Sequence, residues 1–408
     1  MIPAASQPAG VRLFIAANVL FWSLPLQVNL VFTLLAALLV PASSRSLPRT
    51  AWLLCGGLLG YGLLAFALGP CGDGSIKVIA SAAILALLFL ALGRLVAAVL
   101  PDRPLVTSEE AVAMLAMIAC TAVIEYVYKL MTSVPIGMLR VGGLYLEPSH
   151  LALSAVPLIF WLWMRGSLAQ RSFAVVVAGV LVAVAYSTTL LALLVALPLI
   201  AHLGAVMQKR LNPAALVGLL TVAAAPLALP LLAGSEDTLA RLNDLTDLRQ
   251  DANISSLVYA NGWQLLDSYF DSSHGLGLGL NAMGCNPRAT TDITEWLELI
   301  DLGDQNFNDG SFILSKMGSE FGAVGLLLFA VVLVWSVRLI WRAGRPGTPA
   351  GDVIASTWLA IIGLGGLIRS GGGYFAGPVL LAVFAALVLR TQAARARPAD
   401  TVVSETAT

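Results

Sequence analysis

Long apolar runs separated by short polar breaks recur along most of the chain. We predict apolar segments at 11–22, 26–41, 51–69, 76–99, 110–130, 150–164, 173–187, 190–207, 213–233, 312–340, 352–368 and 374–391. A helix needs about 20 apolar residues to cross a bilayer, so the segments at 11–22 and 173–187 are expected to be half-length or tilted. The first two segments could instead form one broken helix. The pattern predicts an all-α polytopic membrane protein with about 12 transmembrane helices.

Lysine and arginine are distributed unevenly between the breaks. They fall in alternate breaks, at Arg45, Arg49, Arg94, Arg103, Arg165, Arg171, Lys209, Arg210, Arg338, Arg342, Arg345, Arg390, Arg395 and Arg397. Cytoplasmic loops carry such an excess, so we expect both termini in the cytoplasm. The predicted organisation is nine transmembrane helices in 1–233, one large extracytoplasmic loop at 234–311, three more helices in 312–391, and a disordered cytoplasmic tail at 392–408.

The composition agrees with a membrane protein. Hydrophobic residues make up 58% of the 408 residues and charged residues only 11%, whereas a soluble domain carries about 25% charged residues. The 23 basic residues are balanced by 23 acidic ones, which argues against a nucleic-acid partner. Neither the carboxylates nor the four cysteines show metal-ligand spacing, so metal-free chemistry is expected.

The large loop 234–311 is acidic, but its apolar residues recur at helical spacing. Trp263, Leu266 and Phe270 would line one side of a first helix. A second helix should start at the caps Thr291 and Asp292 and bury Trp296, Leu299 and Ile300. A folded acidic cap with aromatic faces suits a lid or a sugar-binding surface, and it equally suits docking onto the membrane. Gly275-Leu-Gly277-Leu-Gly279 is interpreted as a tight turn that closes this lid.

The stretch from Arg140 to His150 brings an arginine, the carboxylate Glu147 and an imidazole together just before the apolar run at Leu151. A charged group at helix-centre depth costs about 2.5–3.5 kcal/mol, so such groups usually face a wet cavity and have a function. The alternative is a simple helix start, with Pro148 in the first turn and Glu147 before it. That alternative does not account for Arg140 or His150. Glu147 and His150 are therefore the candidate catalytic residues.

Five arginines break the charge bias because they fall in the breaks predicted to lie outside. They are Arg140, Arg241, Arg249, Arg288 and Arg369. Arg369 opens the turn Arg369-Ser-Gly-Gly-Gly-Tyr374, whose glycines would let the backbone approach a ligand while the guanidinium binds a phosphate. The alternative is a plain glycine-rich turn, which leaves Arg369 unexplained. We take Arg140, Arg241, Arg249, Arg369 and Tyr374 as candidate substrate-binding residues.

Two residue pairs invite structural predictions. Glu125 and Lys129 are four apart on a predicted helix, which favours an internal salt bridge. Cys71 and Cys285 both fall outside, where an oxidising compartment would permit a disulfide, whereas Cys55 and Cys120 lie within spans.

Several of these pieces, in their order along the chain, resemble the Wzy-type polysaccharide polymerases, which are relatives of the O-antigen ligases. Glu147-Pro148-Ser149 is similar to the "EPS" element of many such polymerases. Ser319-Glu320-Phe321-Gly322-Ala-Val-Gly325 is similar to the glutamate-glycine signature that follows their large outer loop. The turn from Arg369 to Tyr374 is similar to their final outer turn.

The resemblance implies a metal-independent membrane glycosyltransferase with a GT-C-like arrangement of helices and no cofactor. It would sit in the bacterial inner membrane with its active site facing the periplasm. Its donor would be a glycan on a polyprenyl diphosphate such as undecaprenyl diphosphate, and its acceptor a second lipid-linked repeat unit. The product would be O-antigen or exopolysaccharide, and membrane lipids, a chain-length regulator and a flippase are expected partners.

The sequence departs from the ligase pattern at one place. Related ligases carry a histidine eleven residues before the first glycine of the signature, and Ser311 occupies that place here. This difference favours the polymerase. An O-antigen ligase that transfers glycan to lipid A-core remains the near alternative, and a transporter of lipid-linked oligosaccharide the more distant one.

Overall fold

The computed structural model describes residues 6–23, 28–41, 47–71, 75–132, 141–145, 147–185, 187–206, 254–285, 289–304, 307–345, 347–369 and 373–395. The described part is all-helical. Its helices are α1 (Ala9–Leu20), α2 (Val28–Leu38), α3 (Arg49–Leu68), α4 (Ser75–Ala98), α5 (Ser108–Met131), α6 (Pro148–Arg165), α7 (Leu168–Ala185), α8 (Thr188–Val206), α9 (Ile254–Ser272), α10 (Asp292–Glu298), α11 (Ile313–Ala343), α12 (Ala350–Ala360) and α13 (Gly377–Arg395). A π-helical turn, Ile361–Gly365, extends α12.

Seven of these helices are long and apolar enough to cross a membrane, namely α3, α4, α5, α7, α8, α11 and α13. This confirms an α-helical, multi-pass membrane protein. Every predicted apolar segment coincides with a helix except 213–233, which lies outside the described residues. Helix α13 continues to Arg395, and so enters the predicted tail, of which 396–408 lie outside the described residues.

The first two helices are short and pair with each other. Helix α1 has 12 residues and so extends only about 18 Å, less than the ~30 Å thickness of the hydrocarbon core. Asn18 in α1 donates to Thr33 in α2 at 3.0 Å and accepts from Asn29 at 3.2 Å, while Gly10 faces Ala36. Residues near the start of α1 therefore contact the end of α2, and residues near the end of α1 contact the start of α2. The first pair is therefore an antiparallel hairpin of half-length helices and not one broken helix.

At one end of the bundle, which we call the basic end, the arginine-bearing segments contact neighbouring segments. Gln7 Nε2 donates to the Arg103 carbonyl at 2.8 Å, and Arg94 donates to the Val40 carbonyl at 3.0 Å. Farther around the same end, the end of α6 reaches the end of α11 through Arg165. The arginines that were predicted to share one side of the membrane therefore share one end of the structure, so far as it describes them.

The remaining segments between helices lie at the opposite end of the bundle, which we call the site end. A disulfide joins Cys71, after α3, to Cys285, with their Cα atoms 5.6 Å apart. The amide of Leu314 donates to the Gly366 carbonyl at 3.1 Å, which ties the start of α11 to the segment after α12. Consecutive long helices thus alternate in direction between the two ends. Which end faces the cytoplasm stays a prediction from the charge pattern.

Helix α11 is kinked at Gly322, whose φ of 56° and ψ of −138° are not helical. The glycine turn after α9 packs into this kink. The amides of Leu278 and Gly279 donate to the Ser319 and Glu320 carbonyls at 2.9 and 2.8 Å, in place of the helical hydrogen bonds that the kink removes. A Cβ at Gly322 would overlap the Gly275 carbonyl oxygen, so the close approach requires glycine. The predicted tight turn is thus fastened to a membrane helix.

Two helices of the predicted outer loop are described. Helix α9 packs against α11, and α10 packs against α9 through Ile293 and Leu297. Thr291 caps α10 by accepting from the Thr294 amide, as predicted. The predicted burial of Leu299 and Ile300 is wrong, because both side chains are exposed. Helix α10 ends at Glu298, before its periodicity could carry those two residues back onto α9.

Candidate functional site

The site end brings together two residues that the sequence predicts to belong to the same active site. Glu147 begins α6, and Arg369 follows the π-helical turn after α12. Arg369 Nη1 lies 4.0 Å from Glu147 Oε2, with side-chain exposures of 20% and 34%. Both groups are therefore partly shielded yet still open to a ligand. Within the described residues, the Glu147 carboxylate makes no capping hydrogen bond to α6, which weakens the interpretation of this residue as a simple helix cap.

Glu147 is instead held from the side. Ser149 Oγ donates to Glu147 Oε2 at 3.1 Å. Pro148 occupies the first turn of α6, where its missing amide proton costs no helical hydrogen bond. The carboxylate thus lies at the start of a well-buried helix, and the Ser149 hydroxyl and the Arg369 guanidinium both approach its Oε2 atom.

His150 lies in the first turn of α6, packed against the residues that follow α1. Its Nδ1 is 3.2 Å from Ser23 Oγ, and its ring centroid is 4.7 Å from that of Trp22. Trp22 is fixed in turn by a hydrogen bond from its Nε1 to Ser154 Oγ at 2.8 Å. The imidazole therefore has a defined orientation beside Glu147, as expected of a group that transfers or holds a proton.

The segment before Glu147 is anchored on two sides. Glu125 pairs with Lys129 at 2.7 Å, which confirms the predicted salt bridge. The other oxygen of Glu125 accepts from the amides of Gly142 and Gly143 at 3.0 and 2.6 Å. Farther along, Tyr145 donates to the Val19 carbonyl at 2.7 Å, and burial raises the pKa of its hydroxyl above the usual range.

A second polar cluster, which we call the lysine cluster, lies at the kink of α11. Lys316 Nζ donates to Glu320 Oε1 at 2.7 Å, to the Asn308 carbonyl at 2.9 Å and to Asn281 Oδ1 at 3.2 Å. All three protons of the ammonium group are therefore used. Glu320 Oε2 accepts from the Asn281 amide at 2.7 Å, and both charged side chains are almost fully buried. This cluster joins α11 to the glycine turn and to the loop before α11.

Tyr374 belongs to the lysine cluster and not to the Glu147 site. Its ring centroid is 5.1 Å from Lys316 Nζ and 6.1 Å from the ring of Phe321. Burial, with the nearby Glu320 carboxylate, raises the pKa of its buried hydroxyl well above the usual range. The turn predicted to bind substrate therefore spans two environments, with Arg369 beside Glu147 and Tyr374 beside Lys316.

Some residues of these clusters were not foreseen. Ser23, Trp22, Lys316 and Asn281 were not proposed from the sequence. A signal did exist for Lys316, which lies four residues before Glu320 in an otherwise apolar segment. Ser23 and Trp22 had no such signal, because only the approach of the segment after α1 to α6 brings them to His150.

Three of the predicted substrate-binding arginines, Arg140, Arg241 and Arg249, lie outside the described residues. Ser311, which occupies the place of the ligase histidine, is buried and donates to the Val258 carbonyl at 2.8 Å. It fastens α9 to the start of α11. In the described part of the chain no three His, Cys, Asp or Glu side chains are grouped so as to hold a metal ion, and the metal-independent mechanism stays an expectation.

No protein-family model matches the chain, and no curated protein matches its sequence. The geometry of the site therefore carries the functional argument. A half-buried carboxylate, an oriented imidazole and an arginine meet at one end of an apolar bundle. Such a set can take a proton from a hydroxyl group and stabilise a departing anion.

Proposed function

We propose that this protein is a metal-independent membrane glycosyltransferase that polymerises lipid-linked oligosaccharide repeat units. The observation that carries the proposal is the Glu147–Arg369 pair, with His150 next to it, at the site end of the bundle. A base and an anion-binding group in one partly shielded place suit transfer of a sugar from a diphosphate donor to a hydroxyl.

In the proposed reaction, Glu147 or His150 takes the proton from a hydroxyl of the acceptor glycan. That oxygen attacks the anomeric carbon of the donor sugar, and the bond from this carbon to the diphosphate oxygen breaks. The polyprenyl diphosphate leaves as an anion, and Arg369 stabilises its charge with its planar set of donors. Arg140, Arg241 and Arg249 are proposed to contribute to the same anion site.

The apolar bundle supports a substrate that carries a lipid. Exposed apolar side chains cover α3, α4 and α5, as expected of surfaces in contact with acyl or prenyl chains. The wider proposal includes about 12 spans, a GT-C-like arrangement, a bacterial inner membrane and a site that opens to the periplasm. A disulfide at the site end suits an oxidising compartment on that side.

The test uses the purified full chain in nanodiscs with synthetic undecaprenyl-diphosphate repeat units. Chains of several repeats are expected from the wild type. Glu147→Gln cannot take a proton, so it should make about 10²–10⁴-fold less polymer if Glu147 is the base. His150→Asn is measured beside it to decide which of the two residues is the base.

Other products would contradict the proposal in recognisable ways. A single transfer to added lipid A-core, without polymer, would identify a ligase. Movement of the intact lipid-linked unit across the bilayer, without new glycosidic bonds, would identify a transporter. Glu109→Gln is a suitable control and should make normal amounts of polymer, because Glu109 is an exposed carboxylate in the first turn of α5, at the basic end.

A further inference from the structure

One aromatic side chain on α9 is exposed and also packed against two other aromatic rings. Trp263 is 41% exposed, although its ring lies 4.9 Å from that of Phe312 and 6.4 Å from that of Tyr259. An exposed indole normally turns through several rotamers. Here contacts with two neighbouring rings limit those rotamers, and the exposed part of the indole presents an apolar face to its surroundings.

This aromatic group lies next to the Glu147–Arg369 site. Tyr259 donates from its hydroxyl to the Leu367 carbonyl at 3.2 Å, and its ring is 5.0 Å from that of Phe312. Leu367 precedes Arg369 by two residues, which span at most about 7 Å of chain. A ligand whose diphosphate is bound by Arg369 would therefore have α9 among the nearest surfaces available to its sugar.

The exposed surface around Trp263 is acidic. Asp267 follows Trp263 by four residues and so lies on the same stripe of α9, and Asp271 continues that stripe. Both side chains are exposed. Placing such carboxylates in the hydrocarbon of a bilayer is costly, which argues against membrane docking of this stripe. A carboxylate that flanks an aromatic face is well suited to accept hydrogen bonds from the hydroxyls of a sugar.

We propose that Trp263, flanked by Asp267, stacks against a sugar ring of the donor glycan whose diphosphate lies at Arg369. A pyranose ring has an apolar face of C–H groups that packs on an indole, and a rim of hydroxyls that a carboxylate can bind. This inference rests on the proposed function, which supplies the glycan. It adds Trp263 as the residue that binds the sugar next to the reacting bond.

The experiment measures binding and not turnover, so that its failure differs from a failure of the polymerase proposal. The full chain in nanodiscs is titrated with two probes, inorganic pyrophosphate and a water-soluble short-prenyl diphosphate that carries the repeat unit. Trp263→Ala should weaken binding of the second probe about tenfold and leave binding of pyrophosphate unchanged. Trp263→Tyr, which keeps a flat aromatic face, should retain most of the affinity.

Trp52 provides a matched control. It is also 41% exposed but lies in the first turn of α3, at the basic end, so Trp52→Ala should change neither affinity. Equal affinity of wild type and Trp263→Ala for the glycosylated probe would overturn the inference. So would a wild type that binds the glycosylated probe no better than pyrophosphate.

The membrane-docking alternative is tested on the same samples. Trp263→Phe should leave the quenching of tryptophan fluorescence by brominated lipid chains unchanged. A clear loss of quenching in this variant would place Trp263 in the bilayer and overturn the sugar site. If the protein makes no polymer but Trp263 still determines binding of the glycosylated probe, the polymerase proposal fails and the sugar site stands.

Discussion

Lys316 and Glu320 form an ion pair of 2.7 Å in the interior of the protein, with side-chain exposures of 3% and 0%. Lys129 and Glu125 form a pair of the same length and the same sequence spacing, with exposures of 27% and 28%. The two pairs therefore differ mainly in burial and in the number of segments that they join. They provide a direct comparison of a buried and a partly exposed salt bridge within one chain.

Lys316→Met should destabilise the protein strongly. It leaves the buried Glu320 carboxylate without its cation, a change that typically costs about 3–5 kcal/mol. Lys129→Met should cost about 1 kcal/mol or less, because its partner is partly exposed and keeps two backbone donors. Thermal unfolding in detergent measures both. The double variant Lys316→Met/Glu320→Gln should regain part of the loss, and equal effects of the two lysine variants would contradict this account.

Gly322→Ala should destabilise the kink of α11. Its positive φ disfavours an alanine, and the new Cβ would overlap the Gly275 carbonyl, so a loss of about 1–3 kcal/mol or more is expected. Gly57→Ala is the control, because Gly57 lies within α3 with open space around its Cα. Alanine is favoured over glycine in a helix by about 1 kcal/mol, so Gly57→Ala should be neutral or stabilising. A Gly322→Ala variant that melts at the wild-type temperature would rule out a kink at Gly322.

The Cys71–Cys285 disulfide predicts a specific thiol count. Protein purified without reductant and denatured in maleimide should be labelled only at Cys55 and Cys120, and at all four cysteines after reduction. Mass spectrometry distinguishes the two states. Loss of a native disulfide typically costs 2–5 kcal/mol, so Cys71→Ala should also lower the melting temperature. Labelling of Cys285 before reduction would contradict the pairing.

Arg369→Lys should impair polymer formation almost as much as Arg369→Ala. Lysine keeps the charge but lacks the planar fork that binds a phosphate through two parallel hydrogen bonds. The rate of polymer formation by equal amounts of folded protein provides the measurement. Arg338→Ala, at the opposite end of α11, serves as the control and should retain normal activity. Full activity of Arg369→Ala would remove this residue from the site.

The charge pattern predicts the membrane side of each end of the bundle. A reporter that works only outside the cytoplasm should be active when fused after Asp304 and inactive when fused after Arg171. Asp304 follows α10, and Arg171 lies in the first turn of α7 at the basic end. The opposite result would place the Glu147–Arg369 site on the cytoplasmic side and would exclude a periplasmic polymerase.

The sequence by itself determined the features that depend on short stretches of chain. Apolar runs of defined length predicted nearly all the described helices of the bundle, because hydrophobicity and helix length are local properties. The Glu125–Lys129 pair and the cap at Thr291 were predictable for the same reason, since partners three or four residues apart meet on any helix. The exposure of Leu299 was not, because α10 stops at Glu298.

Only the tertiary structure decided which distant residues meet. It placed Arg369 beside Glu147, Tyr374 beside Lys316, and Trp22 and Ser23 beside His150. The kink at Gly322 lies next to the lysine cluster and the π-helical turn precedes Arg369, and neither follows from an apolar pattern that a straight helix would satisfy equally well. Contacts between separate helices depend on packing and close backbone approach, which hydrophobic periodicity does not encode.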